Sequence, residues 1–298
     1  MSRFDVILLT EEKYENPSKK DVYIENILKE DEIIQAALEK KGLSSIRWSW
    51  DKKGVDWSDG KLLLFRTTWD YHHRRKEFFS WLEKTAYKSH FVNPINTVKW
   101  NVDKHYLVEL ESKGVNIAKT KIFEKGDRRD LMKDFKSFNA EEVVMKPLIS
   151  AGGRHTYRIR NETISANEEI FSSLLNDEAI MLQEFQKDIL INGELSLIFF
   201  GNNYSHAILK KAKPGDFRVQ DDFGGSVHDY TASKKEIDFA RFTIEKIEPT
   251  PVYSRVDIFK DNDGNLALAE LELIEPELWF RNKPKAAELL IDEIVKLL

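Results

Sequence analysis

Three carboxylates in the last sixth of the chain have the spacing that a hard cation needs. Residues 253–259 form one extended, largely apolar run, Asp261, Asn262, Asp263, Gly264 and Asn265 form a turn, and residues 266–273 form a second run. Two strands joined by an Asp-Gly turn make a hairpin, and pairing them brings Asp257 opposite the end that carries Glu270 and Glu272. Side chains alternate along a strand, so Glu270 and Glu272 share one face while Ala269, Leu271 and Leu273 share the other. Carboxylates gathered this way repel one another unless a cation neutralises them, and Mg2+ bound by a few carboxylates and nucleotide phosphates meets that requirement. A solvated acidic hairpin edge is the alternative reading, and Glu275 and Glu277 extend the acidic stretch beyond what a metal would use.

Two further segments pair cations with glycines. Val143, Val144, Met145 and Lys146 run into Pro147, Ser150, Ala151, Gly152 and Gly153. A lysine ending an apolar strand before a small-residue turn can set an ammonium and several backbone N–H groups against a phosphate chain. A strand ending in a flexible surface turn would read the same way. Lys210, Lys211 and Lys213 precede Pro214 and Gly215, then come Arg218 and the pair Gly224 and Gly225, which suits an anion held against backbone or a charged loop. Neither GxxxxGK[ST] nor GxGxxG occurs, and there is no HExxH and no GxSxG elbow. His72 and His73 are adjacent and point apart on a strand or a helix, which favours surface or capping roles over zinc ligation.

The elements that must hold these groups begin with a β-α-β pattern. Strands are predicted at 4–9, 47–50 and 62–65 and helices at 31–41 and 76–85, with Gly42 as a helix stop and a turn at Asn93 and Pro94. This order predicts a small parallel α/β domain over 1–97. A helix over 103–113 ends at Gly114; strands at 119–123 and 142–146 flank a charged helical stretch over 127–138, and 156–159 completes a hairpin with a mobile tip. Strands then dominate, at 180–185, 195–200, 205–209, 253–259 and 266–273, with helices at 234–247 and 285–297. The fold class is therefore α/β followed by α+β, divided as 1–97, 98–180 and 181–298.

Composition narrows the partners. The chain has 298 residues and a formal charge of −5, so no broad basic field exists to hold a nucleic-acid backbone. The apolar runs fall far short of the roughly 20 residues of a membrane helix. Absence of cysteine excludes a thiol nucleophile and Cys-ligated metal. Arg3 and Asp5 interrupt the first apolar run and no small-residue cleavage site follows, so a cytoplasmic protein without a signal peptide is expected.

Taken in order, these segments resemble the ATP-grasp superfamily over about the last two thirds of the chain. The resemblance implies a pre-ATP-grasp α/β domain, a lid subdomain and a C-terminal metal and nucleotide subdomain, the two α+β lobes enclosing ATP. Lys104 and Lys146 match the two nucleotide-binding lysines, Lys146 at the base of a phosphate-covering loop that holds Gly152 and Gly153. Gln183, Glu184 and Phe185 are similar to the hinge that pairs with adenine, and Glu194 to the acid on the ribose hydroxyls. Lys210, the stretch from Gly215 to Gln220, and Gly224 with Gly225 are similar to the phosphate and acyl-phosphate segment of bacterial glutathione synthetases. Arg255, Asp257, Glu270 and Glu272 resemble the metal segment of D-alanine–D-alanine ligases, with Glu272 standing where those have Asn. The stretch from Leu64 to Tyr71, taken with Glu270 to Pro276, is similar to a subgroup that includes ligases of cycloserine biosynthesis.

What the resemblance implies is a carboxylate–amine ligase that uses ATP with Mg2+, or Mn2+ in its place. ATP phosphorylates the carboxylate of an amino acid or small peptide, and an amine displaces phosphate from the acyl phosphate. Arg218 and Arg255, planar and always charged, are the candidates for gripping the developing oxyanion and acyl phosphate, together with Lys210. Arg66, Thr68 and Asp70 beyond a strand either orient the substrate at the domain junction or form an Arg–Asp surface pair with Trp69 packed inward. A phosphotransferase on the same fold and a nucleotide-binding regulatory protein are the alternatives. The simplest self-assembly would be a homodimer.

Overall fold

Val6, Ile7, Leu8 and Leu9 are all fully buried, as an inner strand of a parallel sheet covered on both faces requires. In the computed structural model, which describes residues 2–150, 152–219 and 224–298, these residues form the centre of β1 (Phe4–Thr10). There follow α1 (Glu12–Glu15), α2 (Val22–Lys40), β2 (Ser45–Ser49), β3 (Gly60–Thr67), α3 (Arg75–Ala86) and β4 (His90–Val92). The strands make one parallel sheet in the order β2-β1-β3-β4, the small α/β unit that the β-α-β pattern predicts. Helix α2 begins well before the expected 31–41, capped by Asp21, whose carboxylate accepts from the Ile24 N–H at 2.8 Å. Its buried stripe is Ile27, Glu30, Asp31, Ile34 and Leu38, and two acids on that stripe hide the first half from a hydrophobicity pattern.

A second sheet is antiparallel. After α4 (Ile95–Asn101) and α5 (His105–Ser112) come β5 (Thr120–Phe123), α6 (Leu131–Lys136), β6 (Glu142–Pro147), β7 (Tyr157–Arg160), α7 (Ile164–Asp177) and β8 (Ile180–Glu184). The order is β5-β8-β6-β7, and α6 and α7 bury Phe135, Phe171 and Leu175 against Phe123, Val143 and Ile159. Helix α7 was not anticipated from the sequence. The division expected between 180 and 181 falls just inside β8, whose pairing with β5 and β6 carries this sheet to Glu184.

The third sheet, also antiparallel, uses β9 (Glu194–Phe200), β10 (Asn203–Lys211), β11 (Ser226–Tyr230), β12 (Tyr253–Lys260) and β13 (Leu266–Glu272) in the order β11-β10-β9-β12-β13; α8 (Asp188–Ile191), α9 (Lys234–Ile244) and α10 (Ala286–Val295) complete the chain. At Gly193 the backbone has φ +84° and a Cβ would lie 2.2 Å from the Lys210 carbonyl, so only glycine lets β9 begin this close to β10. Helix α10 returns to the N-terminal unit, where Leu290, Ile291 and Ile294 share a core with Ile34, Leu38, Phe200 and Phe280. No helix among the described residues is long and apolar enough to cross a membrane.

Candidate active site

One face of the third sheet is apolar, with Leu197, Val256, Ile258 and Leu271 in a shared core. The period of a strand then sends the intervening residues to the opposite face, where Ile198, Phe200 and Ile208 pack in the core shared with the N-terminal unit and the rest of the face carries the charged groups. Register sets Glu194 opposite Lys210, Asp257 opposite Glu270 and Arg255 opposite Glu272. Lys210 Nζ lies 2.6 Å from Glu194 and 2.9 Å from Asp257. Arg255 donates to Asp257 from Nε at 3.0 Å and from its terminal nitrogen at 2.9 Å, and it also reaches Glu272. Lys104, between α4 and α5, donates to the Ser150 carbonyl at 2.8 Å and lies 3.0 Å from Glu270.

Lys146 enters from β6 of the second sheet and is half-buried. Burial lowers its pKa; the nearest charges acting on it are Glu270, Lys104 and Glu194. It has no carboxylate or hydrogen-bond partner among the described residues, unlike Lys104, Lys210 and Arg255. The acids respond to their neighbours. Burial would raise Asp257, but Arg255 and Lys210 hold it well below the usual carboxylate range; for Glu270, Lys104 and Lys146 overcome burial in the same way. Burial raises Glu272 to about 7, with Arg255 opposing and Glu270 and Asp257 adding to the rise. Burial and the Glu272 charge push Glu275 to about 8, and the Tyr71 hydroxyl faces it.

A family profile described as the ATP-grasp domain of prokaryotic glutathione synthetase matches residues 112–261, half of the chain, and one described as the N-terminal domain of D-cycloserine synthetase DcsG matches residues 6–93. The chain belongs to the ATP-grasp ligases. Cycloserine biosynthesis protein DcsG of Streptomyces lavendulae is 28% identical over 251 residues, which cover 80% of this chain and 83% of that protein. The crystal structure of D-cycloserine synthetase DcsG is similar with a TM-score of 0.85 at 25% identity, over 98% of this chain and 100% of the other. D-alanine–D-alanine ligase from Bacillus anthracis, solved in complex with ATP, shares the fold with a TM-score of 0.66 at 13% identity, over 99% of this chain and 97% of the other. Enzymes of this family form C–N bonds, and they use ATP with a divalent metal.

In this ATP-grasp ligase the three C-terminal carboxylates share a face without standing bare. Each is matched by a cation, and among the described residues no group of three or more His, Cys, Asp or Glu side chains is gathered as a ready metal site. The sequence could not show this, because Lys210 arrives from β10 and Lys104 from the segment between α4 and α5, both far from the hairpin in the chain. The donor set nonetheless suits Mg2+: Asp257, Glu270 and Glu272 are hard oxygen donors on adjacent strands, with the Lys104 and Lys210 ammonium groups beside them.

The remaining expected residues are distributed unevenly. At the end of β8, Gln183 donates to Thr120 at 3.0 Å, the Glu184 carboxylate accepts from Asn262 at 3.1 Å, and Phe185 lies between the Arg158 guanidinium, 3.8 Å from its ring centre, and Phe217. Gly152 and Gly153, at φ +58° and +67°, lie in the β6–β7 connection. Arg154 ties that connection down, donating to Glu178 at 2.9 Å and to the Ile149 carbonyl at 3.2 Å. Arg218 is not brought to the cluster; its guanidinium grips Asp216, two residues away, at 2.8 Å and 3.1 Å. Ala151, Gln220, Asp221, Asp222 and Phe223, from the two glycine-containing segments, lie outside the described residues.

Arg66 and Asp70 do not pair with each other. Arg66 is buried at the end of β3, 3.2 Å from Asp31 and 3.9 Å from Glu30, and it donates to the Pro276 carbonyl at 3.4 Å. Asp70 accepts from the Trp50 indole at 2.7 Å and from Arg74 at 2.8 Å. Thr68 is buried with its hydroxyl unpartnered, and Trp69 donates to the Glu275 carbonyl at 3.1 Å. An inner strand covered on both faces turns its polar ends toward protein, which spacing alone does not reveal. The sequence assigned no site role to Tyr71, Asn93, Asn101 or Tyr106, although Asn101 lies only three residues before Lys104.

Proposed function

We propose that this ATP-grasp ligase transfers the γ-phosphoryl group of ATP to the carboxylate of an amino acid or small peptide and joins the resulting acyl phosphate to an amine, releasing ADP and phosphate. The observation that carries this reading is Lys146: in a cluster whose other cations are each matched by an acid, its ammonium lacks an anion. A triphosphate supplies one. Mg2+, or Mn2+, when bound by Asp257, Glu270 and Glu272, would neutralise charge on the transferring group.

The chain's own residues do the positioning. Lys104 and Lys146 hold phosphate oxygens, residues 183–185 receive adenine, and Glu194 takes the ribose hydroxyls. Gly152 and Gly153 let the β6–β7 tip approach phosphate closely. Arg255 and Lys210 face the acyl phosphate, and Arg218 joins them by exchanging Asp216 for substrate oxygens. Arg66 and Asp70 shape the wall beside them through their protein partners. Similarity to the cycloserine protein in both the N-terminal and nucleotide regions favours an amino-acid derivative over a long peptide. A phosphate-release screen of amino acids and small peptides, singly and in pairs, tests the proposal. Phosphate release that requires a carboxylate and an amine is expected; phosphate left on an acceptor would mean a phosphotransferase instead.

A further inference from the structure

Strand β13 is an edge strand, paired with β12 on one side; on the other it meets a single parallel bridge between Leu268 and Ile117, before Glu270. Its other edge would leave the backbone beside Glu270 and Glu272 without a ladder, yet side chains take the place of a strand there. The Tyr106 hydroxyl accepts from the Leu271 N–H at 3.0 Å. The Asn101 amide donates to the Leu271 carbonyl at 2.8 Å and accepts from the Leu273 N–H at 2.8 Å, the bond pair that a neighbouring strand would make. Asn93 donates to the Leu273 carbonyl at 2.8 Å and to the Tyr253 carbonyl at 2.9 Å. All three are buried. Lys104, which lies 3.0 Å from Glu270, belongs to the same short segment as Asn101 and Tyr106.

We propose that Asn101, supported by Tyr106 and Asn93, is a positioning residue: its amide fixes the backbone on both sides of Glu272 so that Glu270 and Glu272 face one divalent cation together, while the same segment aims Lys104 at the phosphates. This rests on the reading of Glu270 and Glu272 as metal ligands. The side-chain period of a strand makes the argument physical, because a local rotation or slip of β13 turns both carboxylates away from the cleft. Groups that orient a metal's ligands commonly change metal affinity 10- to 100-fold when removed.

The test is calorimetric titration of a non-hydrolysable ATP analogue at stepped Mg2+ concentrations, with folding checked by thermal unfolding. Asn101→Ala is expected to raise the Mg2+ concentration for half-maximal analogue binding by about 10-fold. Asn101→Asp keeps the acceptor for the Leu273 N–H, loses the donor, and is expected to fall between. It also replaces the alanine variant if that one does not fold. Asn116→Ala removes a 3.0 Å bond to the Leu266 carbonyl and a 2.7 Å bond to the Asp261 carboxylate at the far end of the same edge, and is expected to leave the Mg2+ requirement unmoved. An equal rise in Asn116→Ala would mean general loosening of the strand and overturn the proposal. An unmoved requirement in Asn101→Ala, with a raised one in Glu270→Gln, would overturn positioning and leave the ligand reading standing. No change in either variant would remove both.

Discussion

Lys146 and Glu270 are the two residues on which the nucleotide and metal readings turn. Removing a phosphate-facing ammonium forfeits charge-assisted hydrogen bonds, each contributing roughly 1.5–3 kcal/mol. Lys146→Ala should therefore weaken ATP binding in the presence of Mg2+ by about 10-fold or more on this scale, measured by titration calorimetry; equal affinity would take Lys146 out of the site. Glu270→Gln keeps shape and removes one charge. Turnover of ATP in that variant should need more Mg2+, with an unaltered circular dichroism spectrum. An unchanged Mg2+ dependence would remove Glu270 from the ligand set and leave Asp257 and Glu272 unsupported.

Two elements carry separate expectations. The β6–β7 connection contains paired positive-φ glycines; Arg154 moors it to Glu178 at the end of α7, and Lys104 donates to its Ser150 carbonyl. Amide exchange across residues 152–160 should slow when a non-hydrolysable ATP analogue saturates the protein, as a cover closing over phosphate would require. Unchanged protection would reject the cover. Strand β10 contributes His206, buried, with one ring nitrogen 3.0 Å from the Leu278 carbonyl. Burial depresses its pKa from 6.5 to about 4, with Lys283 acting in the same direction. The unfolded chain takes up a proton that the folded one refuses, so stability is fully present above pH 6.5 and is lost as the pH falls towards 4, by roughly 3 kcal/mol. Chemical unfolding at pH 7 and pH 4.5 should show this loss, and His206→Gln should reduce it.

Across the whole molecule, a buried ionic network joins the N-terminal unit to the segment that follows β13. Asp31 pairs with Arg47 at 2.6 Å and with Arg66 at 3.2 Å; Glu30 accepts from the Phe280 N–H at 2.9 Å and the Arg281 N–H at 2.7 Å. Breaking a buried pair leaves an uncompensated charge and costs about 3–5 kcal/mol. Arg66→Met is expected to lose stability on that scale in denaturant unfolding, with nucleotide affinity intact. Lost nucleotide affinity in a folded variant would mean that Arg66 supports the nucleotide site as well as the fold.

The order of apolar runs, helix stops and the Asp-Gly turn determined the parallel N-terminal sheet and the C-terminal hairpin that brings Asp257 to the end carrying Glu270 and Glu272, because these follow from periodicity and local turn chemistry; the pairing of Asp257 with Glu270 itself depends on a register shift between Asp257 and Ile258. The same reasoning selected Lys146 and Lys210, which lie at the face that β9, β10, β12 and β13 build. It lost the first half of α2 because Glu30 and Asp31 occupy a buried stripe, their charges matched only by arginines distant in sequence. It left Arg66 and Asp70 open between a substrate site and an Arg–Asp surface pair because a strand's sequence does not say what covers its ends, and the structure removes the surface pair. Tertiary structure alone decided that the carboxylates are each met by a cation, that Arg218 is held by Asp216, and that Asn101 serves as a neighbour to β13. The lysine contacts and the Asn101 contact join segments far apart in the chain, and even the close pair Arg218 and Asp216 depends on side-chain geometry that spacing does not give.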